Sequence, residues 1–293
     1  MRIIVTGSSG YLGSNLVKTL RTQHHDVVGI DVLESNETSV VGSITDKYLM
    51  EKVLSGADTI IHSAALHKLH LHTHSTQQFI DVNIIGTQNL LEAAVKHKVK
   101  SFIYTSSTST FGHALYPGNQ KPAVWVNENL RPIPKNIYGV TKIAAENLCQ
   151  LAHQESGLSC IILKTSRFFA EENDMKNIIP GYSWENIKAI EYLYRRAHIS
   201  DIVTAHILAI RCASEIGFDK FIITATTPFT ESDCADLILD APAVLEKYYP
   251  SYKQYFDKMG WRMFTNLTRV YDNKKAREHL GWCPKYNFSE ACR

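Results

Sequence analysis

A chain of 293 residues allows one large domain or two smaller ones, and is long enough to bury a core without disulfide or metal staples. With 31 Lys+Arg against 29 Asp+Glu the formal net charge is +2, which argues against a nucleic-acid binder that works by bulk charge; no basic run compensates. Charged residues at 20% and hydrophobic ones at 44% exclude a disordered chain, and no apolar run approaches the roughly 18–20 residues that span a bilayer. The opening Met1-Arg2-Ile3-Ile4-Val5-Thr6-Gly7 lacks a charged segment followed by an apolar one and a cleavage site, so secretion by that route is not expected. Six scattered cysteines (Cys149, Cys160, Cys212, Cys234, Cys283, Cys292), with no CxxC pair, read as reduced, mostly buried thiols of a cytoplasmic protein.

In chain order, Arg2–Thr6 reads as a strand and 11–23 as a helix with Leu12, Leu16, Val17 and Leu20 on one face. A strand over 26–32, a helix over 46–55 and a short apolar strand over 59–63 follow. Residues 76–97 read as one long helix, 100–106 as a strand, 136–155 as a helix and 159–164 as a strand. This βαβα order with continuous apolar strands predicts a parallel sheet covered by helices on both faces. Beyond Lys164 the pattern is irregular: a polar, acidic stretch to Trp184, a helix over 185–196, a short strand over 197–199, a helix over 201–215 and a strand over 220–224. The expected division is a dinucleotide-binding domain over 1–164 and a substrate region over 165–293, with about 197–225 returning to the sheet. The aromatic-rich last 65 or so residues form a small cap.

The first strand runs into Thr6-Gly7-Ser8-Ser9-Gly10-Tyr11-Leu12-Gly13 and then a helix. Glycines there permit a sharp turn, close approach of backbone to a pyrophosphate, and tight packing of helix on strand. The helix N-terminus offers N–H donors and a positive dipole end to phosphate. Asp31 ends the second strand 18 residues after Gly13, where a carboxylate accepts hydrogen bonds from ribose hydroxyls and repels the extra phosphate of NADP. The expected cofactor is NAD.

Tyr138 and Lys142 stand four residues apart on one predicted helix face. A phenol near pKa 10 is a poor base at neutral pH; a lysine cation and a positive nicotinamide ring beside it favour the phenolate. Tyr138 could then take a proton from a substrate hydroxyl during hydride transfer. The preceding strand ends in Tyr104-Thr105-Ser106-Ser107-Thr108-Ser109-Thr110-Phe111-Gly112, which puts hydroxyls where open α/β sheets bind ligands. One of them could stabilise charge on the substrate oxygen.

With these features the chain resembles the extended short-chain dehydrogenases/reductases, the NAD-dependent epimerase/dehydratase family. Further marks are His62-Ser63-Ala64-Ala65, Val82-Asn83-Ile84-Ile85-Gly86-Thr87 and Leu280-Gly281-Trp282-Cys283-Pro284-Lys285-Tyr286. The resemblance covers nearly the whole chain and implies a Rossmann-type α/β fold with a small C-terminal substrate-binding cap. It implies that Ser107 is the active-site Ser/Thr, with Thr108 beside it on the substrate side. It also implies cofactor contacts from Gly7, Gly10, Tyr11, Leu12, Gly13, Asp31, Ser43, Ile44, Ala64, Ala65, His67, Asn83, Tyr138, Lys142 and Ser166. The implied partners are a sugar or nucleotide sugar and a second copy of the chain, paired through the helices bearing Asn83 and Tyr138. Ile80, Ile84, Leu91, Ile143, Leu148 and Leu151 are the candidate contacts, although the same residues could instead pack on the sheet.

Departures from the family pattern narrow the reaction. Sugar dehydratases follow the active-site Ser/Thr with acidic residues, whereas Ser107 is followed by Thr108 and Ser109, which disfavours a dehydratase. Phe111 stands where the family often has Tyr. Arg167 occupies the place of a substrate-facing asparagine, and either pairs with a substrate phosphate or carboxylate or forms an internal ion pair with Glu171 or Glu172. His67, His70, His72 and His74 could line one side of an extended segment and hold a metal, but no cysteine or carboxylate lies near in sequence. A loop bordering the active site, with His67 near the cofactor and no metal, is the favoured reading. The expected function is NAD-dependent oxidation or epimerisation of a secondary alcohol on a sugar or nucleotide sugar. The alternatives are a dehydrogenase/reductase of a non-sugar hydroxy or keto compound and a non-catalytic NAD-binding regulator.

Overall fold

A computed structural model describes residues 1–118, 121–168 and 179–291. The chain divides into two compact units. Unit 1 is Met1–Gly112, Ile133–Lys164 and Val203–Phe221; unit 2 is His113–Pro132, Thr165–Ile202 and Ile222–Arg293. The excursion His113–Pro132 thus clusters with unit 2, and the return to unit 1 begins at Val203.

The principal sheet is formed by β1 (Arg2–Thr6), β2 (Asp26–Asp31), β3 (Val40–Val41), β4 (Thr59–His62), β5 (Ser101–Ser107), β7 (Ser159–Thr165) and β8 (Phe218–Ile223). Its order is β3-β2-β1-β4-β5-β7-β8, and the pairs from β3 through β5 are parallel. The chain direction across the sheet reverses between β1 and β4, so the crevice that binds ligands in such sheets lies at the carboxyl ends of those strands. Ile3, Ile4, Val5, Ile60, Ile61, Phe102 and Ile103 are almost completely buried, as a sheet covered on both faces requires.

Helix α1 (Tyr11–Thr22) buries Leu12, Leu16, Val17 and Leu20, and α2 (Lys47–Val53) begins where Asp46 accepts from Leu49 N. The run from 76 to 97 is not one helix. Helix α3 (Thr76–Ile80) passes into a wider π-helical turn, Asp81–Ile85, before α4 (Gly86–Lys96). The extra residue in that turn accompanies Asn83, whose amide is fully engaged by neighbouring elements, a common setting for π-bulges. Helix α5 (Ile137–Ser156) is capped by Asn136, which accepts from Gly139 N, and ends at Gly157 with φ +76°.

In unit 2, β6 (Val124–Val126) pairs in parallel with β9 (Arg269–Tyr271), a small second sheet that local pattern did not suggest. The expected strand at 197–199 is absent. Arg167 and Arg196 form a single bridge, flanked by Arg167 N–Arg195 O and Ala197 N–Arg167 O bonds, and a helix begins at Ile199. Three residues are too few to carry a ladder once the helix claims the last of them. The core of this unit is aromatic, with Phe229, Tyr252, Phe256 and Phe288 packed around Leu237, Leu245 and Val270. In unit 1 the hydroxyl turn after β5 closes at Gly112, with φ +53°, and bridges to Ile133. A side chain at Gly112 would overlap the Ile133 carbonyl.

Candidate active site

Gly7 turns the chain out of β1 with φ +74°, and a Cβ there would come within 2.7 Å of Ala64 N. A Cβ on Gly13 would overlap the Gly7 carbonyl, so α1 rests directly on the loop. Gly10 is the N-cap of α1 and supplies no side-chain cap to the first helical N–H groups. A Cβ there would have only Gly7 O, at 3.2 Å, within contact range. Open space beside uncapped donors at a helix N-terminus suits a diphosphate. Asp31 accepts from Ser9 N (3.0 Å, Oδ2) and Leu33 N (3.0 Å, Oδ1), which fixes its carboxylate against the glycine loop. These residues fit a dinucleotide. Tyr11 is exposed and Leu12 buried. Ser43 meets Thr45 at 2.7 Å, while Ile44 is a core residue packed toward Gly86.

At the end of β4, buried His62 lies between Thr6 Oγ1 (2.8 Å) and Thr87 Oγ1 (2.9 Å), with burial holding its pKa well below the usual range. Ala64 N donates to Thr6 Oγ1, and Ala64 and Ala65 lie at the same strand end. Asn83 accepts from Leu66 N (2.8 Å) and donates to Leu66 O (2.9 Å) and to Thr141 Oγ1 (3.0 Å). Its amide is spent on tying this loop to α5, so the structure gives it a positioning task. His67 follows, with a pKa pushed down to about 4 by burial and by the charges of His70 and Lys142.

The expected catalytic residues converge. Ser107 and Tyr138 are joined by a side-chain hydrogen bond. The Ser107 hydroxyl also accepts from Ser109 N (3.1 Å), and Thr110 Oγ1 donates to the Ser107 carbonyl (2.8 Å). Thr108 is buried in the same turn. One turn along α5 from Tyr138, Lys142 donates to Thr105 O (2.6 Å), with its ammonium 4.1 Å from the Tyr104 ring centroid. Burial lowers Lys142 to about 7, so its charge is finely balanced at neutral pH. Tyr138 is raised by burial, with the Ser107 hydrogen bond acting in the opposite direction. In this state burial outweighs whatever Lys142 contributes, and the phenol keeps its proton.

Sequence reasoning stopped at Lys142 and missed the next residue on that face. Glu146, at the same four-residue step, is fully buried and receives Ser106 Oγ (2.5 Å) and Lys164 Nζ (2.6 Å). The spacing Tyr138, Lys142, Glu146 was the available signal.

Two other expected residues belong to unit 2. The Ser166 hydroxyl is buried without a hydrogen-bond partner among the described residues. The acids expected to pair with Arg167, Glu171 and Glu172, lie outside the described residues; among the described ones it stands 3.4 Å from the buried carboxylate of Glu191. Arg195 (2.5 Å) and Arg196 (2.8 Å) pair with the same carboxylate and, with Arg167, hold its pKa below the usual range against the opposing effect of burial.

The histidine rings stand close, His67–His70 at 4.3 Å and His70–His74 at 5.0 Å between centroids. Their nitrogens serve local structure: His70 Nδ1 accepts from His67 N and His67 Nδ1 from Leu69 N, capping a short 3₁₀ turn over Lys68–His72. Among the described residues no group of three or more His, Cys, Asp or Glu is placed to hold a metal.

A glycine loop at a sheet crevice and an acid ending β2 are features of a dinucleotide-binding α/β fold, with Ser107, Tyr138 and Lys142 grouped beyond β5. The NAD dependent epimerase/dehydratase family matches residues 3–217, and the chain belongs to that family. NAD is the family's cofactor. A UDP-glucose 4-epimerase of Halalkalibacterium halodurans is 31% identical over 56% of this chain and 50% of its own length. A UDP-glucose 4-epimerase of Rhizobium leguminosarum bv. trifolii is 26% identical over 99% of this chain and 95% of its own. A short-chain dehydrogenase/reductase superfamily protein from Agrobacterium tumefaciens, crystallised with NAD, shares the fold: TM-score 0.71, 19% identity, 100% of this chain and 95% of that one.

Proposed function

We propose that the chain is an NAD-dependent epimerase or dehydrogenase acting on a secondary alcohol of a sugar or nucleotide sugar. The observation that carries this reading is the hydrogen-bonded Ser107–Tyr138 pair with Lys142 one turn away, at the carboxyl end of β5. Ser107 holds the substrate oxygen and Tyr138 takes its proton. Bound NAD supplies the hydride acceptor. Lys142, when charged, favours the phenolate of Tyr138 and gives the cofactor ribose a donor. Because Tyr138 is protonated in the free protein, cofactor and substrate must tip it toward the base form. The UDP-sugar relatives support a nucleotide-sugar substrate. The hydroxyl-only run Thr108-Ser109-Thr110 after Ser107 supports epimerase or dehydrogenase over dehydratase. Ser166 and the glycine loop are proposed to contact the cofactor and Arg167 the substrate, within a cytoplasmic homodimer. The buried thiols of Cys149, Cys160 and Cys234 support a reducing compartment.

Nucleotide content of the purified protein and turnover of UDP-glucose test the reading together. Retained NAD with interconversion of UDP-glucose and UDP-galactose supports an epimerase; net NADH production from an added sugar supports a dehydrogenase. Failure to bind NAD in any form would overturn both.

A further inference from the structure

Beneath the Ser107–Tyr138 pair, unit 1 buries a chain of charges that the proposed chemistry does not use. Tyr138, Lys142 and Glu146 occupy successive turns of one face of α5. Glu146 Oε1 receives Lys164 Nζ from β7 and Ser106 Oγ from β5, and Oε2 lies 3.5 Å from Lys220 Nζ on β8. Lys164 also donates to Thr110 Oγ1 (3.0 Å), the hydroxyl that holds the Ser107 carbonyl. Glu146 and Lys164 are both nearly inaccessible, with side-chain exposures of 2% and 3%. A buried pair of this kind is weak support for stability, since desolvation consumes much of the attraction. Its placement, between the lysine of the site and the turn that carries the serine, calls for another account.

We propose that Glu146 is a positioning residue that sets the charge of Lys142, with Lys164 and Ser106 as the arms through which it also fixes the turn bearing Ser107. The proposal rests on the reading that Lys142 holds the cofactor. Lys142 stands over the Tyr104 ring on β5; the charged and titratable groups that influence it or that it influences are His62 and His67 at and beyond the end of β4, Lys164 on β7, and Glu146 and Cys149 farther along its own helix. Of the neighbours acting on it, Glu146 is the leading one that favours its charged form, and Lys164 is a cation that opposes it. Burial alone would leave the lysine neutral. The carboxylate one turn away restores part of the charge, leaving Lys142 poised near neutrality.

The sign of the effect gives the test. On protein stripped of nucleotide, NADH affinity is followed by its fluorescence from pH 5.5 to 9. In the wild type, affinity weakens as pH rises through the midpoint at which Lys142 loses its proton. Glu146→Gln keeps an oxygen for Ser106 and Lys164 but removes the negative charge, and is expected to move this midpoint down by about one pH unit. Lys164→Met removes the opposing cation and is expected to move it up. Glu146→Gln/Lys164→Met together return it close to the wild-type value. A merely structural role would lower thermal stability in all three without opposed shifts. Lys220→Met alters a residue 28% exposed and does not threaten the fold; a smaller upward shift is expected there, so the test stands even if the buried variants fail to fold. Midpoints that stay in place, or move in one direction, in folded variants overturn the proposal. Lys142→Met should abolish the pH dependence. If it survives, the reading of Lys142 itself fails and the proposal with it, an outcome distinct from one in which only the Glu146 and Lys164 variants are silent.

Discussion

The phenol of Tyr138 is where burial and catalysis pull in opposite directions. Its surroundings raise its pKa, yet the proposed reaction needs it to accept a proton. Tyr138→Phe should therefore reduce turnover by about two or more orders of magnitude while NADH affinity stays close to wild type; wild-type turnover in that variant would make Tyr138 a structural residue. Ser107→Ala should also be costly. Among the neighbouring hydroxyls, Ser106 is bound to Glu146 and Thr110 to the Ser107 carbonyl and Lys164, so neither is placed to take over from Ser107. At Asp31 the prediction concerns choice of cofactor. Asp31→Ala removes both the carboxylate proposed to meet the ribose and the anchor for Ser9 N and Leu33 N, so calorimetry should show the preference for NAD over NADP narrowing. Tighter NADP than NAD binding by the wild type would contradict the role given to Asp31.

Among the elements, the π-helical turn Asp81–Ile85 does the most for the site while contributing no group assigned to the chemistry. It aims Asn83 at the loop after β4 and at α5 simultaneously. Asn83→Ala would strand the Leu66 N–H and C=O and one bond of Thr141, at a cost of about 1–3 kcal/mol per buried unsatisfied group. Urea unfolding should show the loss, and amide exchange at Leu66 and His67 should accelerate first. The strands, the glycine loop and the Tyr138/Lys142 spacing were legible because each is written in consecutive residues: runs such as Ile3-Ile4-Val5, glycines where a Cβ has no room, a four-residue step. The π turn was not, because nothing in 76–97 departs from a helical pattern; the turn accompanies a buried amide meeting two distant partners. The pairing of Arg167 with Glu191 escaped for the same reason. Sequence proximity pointed to Glu171 and Glu172, which lie outside the described residues; Glu191 lies 24 residues from Arg167, near the end of a helix over Trp184–Tyr192, and Arg195 and Arg196 just beyond that helix share it. β6 and β9 join segments far apart in the chain, which no local pattern announces.

At the scale of the whole molecule, exposed apolar residues on α4 and α5 bear on association. Of the apolar residues named for a helical interface, Leu91 is unavailable, being in the core of unit 1, and Leu148 packs against that core. Ile80, Ile84 and Ile143 are half-buried, whereas Leu151 and Val140 on α5 are 46% exposed and Ile85 and Val95 are 42% and 40% exposed. A homodimer through α5 and the α3–α4 region would cover these four. Light scattering at micromolar concentration should give twice the chain mass, and Val140→Glu/Leu151→Glu should return it to one; a wild-type monomer would refute the interface. The bridge between Gly112 and Ile133 has a consequence of another kind. The chain leaves unit 1 and re-enters it at adjacent points, so the twenty intervening residues form a closed excursion. An excursion with fixed, neighbouring ends can change length at little entropic cost, about 0.6 kcal/mol for each doubling. Gly112 and Ile133 thus act as a splice point: the stretches of the excursion on either side of Val124–Val126, whose pairing with Arg269–Tyr271 anchors its middle, could change in length while the hydroxyl turn and α5 keep their places, leaving descendants of this scaffold free to vary there without rebuilding the proton-transfer machinery.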